Sequence, residues 1–121
     1  MPHVALAVRV LVFLSMACGL AEARALHVRN STPTAEAIID GHNSQYVVRF
    51  DGPVDHAASR LYITQDRQIV ESLVVLLDSA PDALFSSGAT LAAGHYNLHW
   101  YAKSAPDSDV VEGDIPFSVA P

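Results

Sequence analysis

The chain has 121 residues, 13 of them acidic and 7 basic, for a formal charge of −6. That length holds one domain and excludes a two-domain enzyme. An acidic balance without a lysine or arginine run argues against nucleic acid and anionic membranes as partners, and an apolar content of 50% excludes a disordered tail.

From Val4 to Ala21 the chain reads VALAVRVLVFLSMACGLA, with Arg9 its only charge. Two overlapping A-x-A sites follow, Ala21-Glu22-Ala23 and Ala23-Arg24-Ala25. An apolar run closed by such sites describes a secretory signal peptide over residues 1–25. The competing reading is an uncleaved membrane helix, in which a central Arg9 would cost about 2.5 to 3.5 kcal/mol. The single cysteine, Cys18, falls in this leader, and Ser15 stands where a lipoprotein signal places leucine. Both methionines, Met1 and Met16, lie there too. The remaining domain, residues 26–121, has neither thiol nor disulfide and a net charge of −7.

Strand alternation runs through this domain. Leu26 and Val28 begin it. Tyr46, Val48 and Phe50 then share a face opposite Arg49, and Leu61 and Ile63 share one opposite Arg60, Tyr62 and Thr64. Residues 69–77 (IVESLVVLL) suit a helix by length, but their β-branched content and flanking strands favour a strand. Further on, Tyr96, Leu98, Trp100 and Ala102 oppose His95, Asn97, His99 and Tyr101, and Ile115, Phe117 and Val119 close the pattern. Turn signals separate these runs at Ser31-Thr32-Pro33, Asp51-Gly52-Pro53, Ser79-Ala80-Pro81-Asp82, Ser86-Ser87-Gly88 and Ala93-Gly94. About seven short strands with turns at such intervals predict an all-β, immunoglobulin-like sandwich of Greek-key type.

No G-x-S-x-G, H-E-x-x-H, cysteine nucleophile or glycine-rich phosphate loop occurs, so no enzyme activity is expected. His95 and His99 share a strand face, but four strand residues span about 13 Å, too far to grip one ion. They read as solvated histidines, and His42 and His56 as exposed loop residues. The acidic stretch from Pro106 to Asp114 offers Asp107 and Asp109 to a cation, although calcium wants six to eight oxygen ligands. A solvated acidic turn is the plainer reading.

Four stretches carry a family likeness. Residues 25–33 (ALHVRNSTP) end in an S-x-P turn, and residues 49–55 (RFDGPVD) run on to Ser59-Arg60-Leu61. Residues 91–100 (LAAGHYNLHW) hold a G-x-Y-x-x-x-W element, and Asp107-Ser108-Asp109 leads through Gly113 into Ile115-Pro116-Phe117. These resemble the opening strand, F-S-E-P-V segment, hairpin and closing D-G-H-P-x-x-G loop of the CopC family, periplasmic copper-resistance proteins with a β-sandwich fold. In that family cupric ion is held by an N-terminal histidine, a glutamate after the F-S pair, and the aspartate and histidine of the closing loop.

Carried onto this chain, Asp107 matches the loop aspartate and Asp109 stands in place of the loop histidine. Gly52 occupies the glutamate position, with Asp51 just before it. Ala25 lies where the N-terminal histidine would be, and the nearest imidazole is His27. The resemblance therefore implies a Cu²⁺ site at His27, Asp107 and Asp109. The family's methionine-rich cuprous site is absent. Cleavage after Ala25 would leave Leu26 as a free amine, so that amine, amide and His27 ring can chelate Cu²⁺, which favours nitrogen donors. The resemblance further implies a monomeric periplasmic protein that captures copper ion and passes it to a CopD-like inner-membrane transporter. Two other readings stand beside it: a sandwich without metal acting as an interaction module, and a hard-cation site at Asp107, Asp109 and Glu112.

Overall fold

Alternating apolar residues need a second apolar surface to cover them, and here two sheets supply it to each other. A computed structural model describes residues 25–42, 44–88 and 90–121. The leader read over residues 1–25 lies outside these, Ala25 excepted. Eight strands form: β1 (Val28–Thr32), β2 (Ala37–Ile39), β3 (Gln45–Phe50), β4 (Arg60–Gln65), β5 (Gln68–Leu73), β6 (Ala83–Ser87), β7 (Gly94–Lys103) and β8 (Val110–Val119). One sheet has the order β1-β3-β6 and the other β2-β8-β7-β4-β5. Short β2 runs parallel to β8, and every other pairing is antiparallel.

The core lies between the sheets and follows the predicted faces. Tyr46, Val48 and Phe50 of β3 face Leu61 and Ile63 of β4, Tyr96, Leu98, Trp100 and Ala102 of β7, and Ile115, Phe117 and Val119 of β8. Each large aliphatic or aromatic side chain so buried contributes about 1.5 to 3 kcal/mol. Aromatic edges tie the layers together, with Phe50 and Trp100 ring centroids 5.3 Å apart and edge-on. Gly113 faces Trp100 across the β7–β8 pair, and a Cβ there would collide with the indole, whose Cε2 lies 2.8 Å away.

Four segments depart from the sequence reading, the first being β2 over Ala37–Ile39, which has no counterpart in it. The run over residues 69–77 is not one strand: β5 ends at Leu73, and Val74 and Leu77 are 74% and 71% exposed. Leu76 instead donates its N–H to Phe85 of β6, and Ser79 closes a turn on the Leu76 carbonyl. The turn signal at Ser86-Ser87 lies inside β6, where Ser86 is fully buried. The acidic stretch is a loop only as far as Asp109, because Val110 onward pairs residue for residue with β7.

At one end of the sandwich three connections are laced together. Asp51 N–H donates to the His27 carbonyl (3.0 Å), Asp55 N–H to the Lys103 carbonyl (2.9 Å) and Ala105 N–H to the Pro53 carbonyl (3.1 Å). This lacing brings the start of β1, the segment after β3 and the β7–β8 turn to one rim.

Candidate metal centre

The rim encloses a cavity of about 450 Å³. Its walls come from residues 25–27, from Asp51-Gly52-Pro53, and from Ser104, Pro106 and Asp107. His27 and Asp107, far apart in sequence, therefore face one space. Asp109 does not line it; its carbonyl accepts the Ser104 N–H (2.8 Å), closing a turn in which Ser108 has a positive φ of 63°.

Asp51 is the rim residue that the sequence reading placed only as a neighbour of Gly52. Its carboxylate accepts the His27 backbone N–H at 2.9 Å through Oδ1 and faces the His27 Nδ1 at 3.2 Å through Oδ2. The N–H donated by His27 is the main reason the Asp51 carboxyl lies below the usual carboxylate range; desolvation opposes it, and the imidazole's hydrogen bond and charge add to it. The group is thus a charged acceptor throughout the neutral range. With an Nδ1–H donated to Asp51, the His27 Nε2 lone pair is left free, and the imidazole is 75% exposed. The amide–imidazole chelate expected from the sequence would need the two His27 nitrogens that Asp51 already holds.

Elsewhere the histidines behave differently from one another. His56, expected as an exposed loop residue, pins a loop: its Nε2 lies 3.0 Å from the Ala80 carbonyl and 2.9 Å from that of Ala83. His95 pairs with Ser118 (2.8 Å) and His99 with Asp114 (2.9 Å), so the two take separate partners. Among the described residues no three of histidine, cysteine, aspartate and glutamate converge on one ion position. The hard-cation trio is not assembled: Glu112 lies in β8 opposite Tyr101, while Asp107 lies in the turn.

Two facing sheets with a polar rim at one end define a β-sandwich domain of the immunoglobulin-like kind. The CopC domain matches residues 28–120, and the chain belongs to the CopC family. The fold is similar to that of CopC from Methylosinus trichosporium OB3b, with a TM-score of 0.69 and 25% identity over 80% of this chain and 95% of that one. It is also similar to PcoC, a methionine-rich copper resistance protein from Escherichia coli, with a TM-score of 0.60 and 18% identity over 80% of this chain and 100% of that one. No curated protein matches the chain. The family and the all-β sandwich expected from the sequence both hold.

Proposed function

We propose that this protein is a periplasmic copper-handling protein that captures Cu²⁺ at the rim and releases it to a CopD-like membrane transporter, without catalysing a reaction. The observation that carries this reading is that His27 and Asp107 line one cavity although they come from opposite ends of the domain. Cu²⁺ sits at the top of the affinity order for imidazole and carboxylate donors. His27 Nε2 is the nitrogen donor and Asp107 the carboxylate. Asp51 orients the ring from Nδ1, as a carboxylate behind a metal-binding histidine commonly does. Asp109, expected from the sequence as a third ligand, does not line the cavity and is left out of the proposed set. If the leader is removed after Ala25, the Leu26 amine supplies a second nitrogen beside His27.

Titration of the metal-free secreted protein tests this reading. One equivalent of Cu²⁺ is expected to produce a d–d absorption band and raise the melting temperature, because a ligand bound only by the native state stabilises it. His27→Ala should weaken binding at least tenfold. Equal affinity in the two forms removes the rim site. A second reading, a sandwich that has lost its metal and serves as an interaction module, is favoured by the lack of three convergent donors among the described residues. It predicts no band and an unchanged melting temperature.

A further inference from the structure

The outer face of the five-stranded sheet carries a second arrangement, away from the rim. His99, in the middle of β7, pairs directly with Asp114 of β8, and Glu112 lies two residues along on the same face. The imidazole lies beside the Tyr62 ring, 6.3 Å between centroids and inclined by 26°. His99 Nδ1 is 2.9 Å from Asp114 Oδ1, a hydrogen bond in which the nitrogen donates. On the far side of the ring, His99 Nε2 is 3.6 Å from Glu112 Oε2. That distance is too long for a hydrogen bond. With the ring neutral this sets a nitrogen lone pair against a carboxylate oxygen, and a cation between them makes the contact attractive; with the ring protonated the two form an ordinary ion pair.

We propose that His99 Nε2 and Glu112 hold a second divalent transition-metal ion, of the borderline class that takes both imidazole and carboxylate. The lengths fit: with metal–ligand bonds of about 2.0 to 2.2 Å, a 3.6 Å separation of donors closes at an angle of about 120°. Asp114 positions the ring and makes Nε2 a better donor through the hydrogen bond at Nδ1. Asp114 and Glu112 together supply the negative charge that holds the cation. Arg67 joins Asp114, but not Glu112, in lining the neighbouring cavity. Two protein donors leave the remaining positions to water, so the ion is readily exchanged. The site shares no residue with the rim and does not rest on the function proposed there.

The test uses the full secreted chain carrying His27→Ala, followed by NMR of the imidazole resonances during titration with Zn²⁺, a diamagnetic member of the class. One equivalent should shift the His99 ring signals and leave those of His95 in place. Adding Glu112→Gln should weaken Zn²⁺ binding at least tenfold, and Asp114→Asn by about ten- to a hundredfold, the usual loss when a partner behind the ligand is removed. Both carboxylates are about half exposed, and the melting temperatures of the metal-free variants serve as the fold control. Unmoved His99 signals, or equal affinity with and without Glu112→Gln, overturn the proposal. Loss of Cu²⁺ binding on His27→Ala reports on the rim alone.

Discussion

Asp51 accepts from both the backbone N–H and the imidazole of one residue, His27, and a single carboxylate so held couples stability to pH. Its folded pKa lies below its unfolded value of about 3.9. The stability it contributes is therefore complete above about pH 4 and is lost as pH falls through the lower, folded value. Asp51→Asn keeps an oxygen for the His27 N–H but removes the titration. Its melting temperature should fall less steeply below about pH 4 than that of the parent, and parallel curves would show that another group carries the acid response. That His27 and Asp107 line one cavity was foreshadowed unequally: Asp107 matches the family's loop aspartate, whereas His27 is only the imidazole nearest to Ala25, which fills the position of the family's histidine. Asp51 was legible only as a neighbour, since its role depends on the chain after β3 turning back to meet the His27 main chain. That meeting is tertiary, and no local pattern encodes it.

The hairpin joining β4 to β5 turns through Asp66 and Arg67, with Gln65 paired to Gln68. Both turn residues have positive φ, 51° and 66°. A two-residue hairpin wants this mirror-image turn, which glycine or asparagine adopts easily and arginine does not. Holding a residue with a Cβ there costs roughly 1 to 2 kcal/mol, partly offset because glycine is freer when unfolded. Arg67→Gly should thus raise stability by about 0.5 to 1 kcal/mol, read as a higher urea midpoint at unchanged slope. A lower midpoint would mean that the arginine's contacts on the outer face outweigh the strain. Strands were legible where one face is buried, because period-two burial writes itself into β3, β4, β7 and the end of β8. It was not legible in β2, three residues long, or in β6, whose buried Ser86 reads as turn chemistry. The end of β5 was hidden for the opposite reason: Val74 to Leu77 remain apolar after they leave the sheet, so composition carries no sign of the boundary.

At the scale of the molecule, the two sheets share one core, and the chain's only cysteine, Cys18, precedes the described residues. No disulfide can staple the sandwich, so its stability rests on that core. Domains of this size are stable by only about 5 to 15 kcal/mol. Leu98 and Leu77 make the contrast measurable. Leu98 is 0% exposed, at the centre of β7 between β4 and β8, whereas Leu77 is 71% exposed beyond the end of β5. Leu98→Ala removes buried methyl groups and leaves a space that rigid sheets fill poorly, for a loss of about 2 to 5 kcal/mol. Leu77→Ala removes surface that water already reaches and should change stability by no more than about 0.5 kcal/mol. Chemical unfolding followed by the fluorescence of Trp100, which sits in the same core, should show one cooperative transition in both variants, shifted far toward lower denaturant for Leu98→Ala and scarcely moved for Leu77→Ala. If Leu77→Ala proved the costlier of the two, the apolar loop after β5 would be part of the core, and the boundary drawn at Leu73 would be wrong.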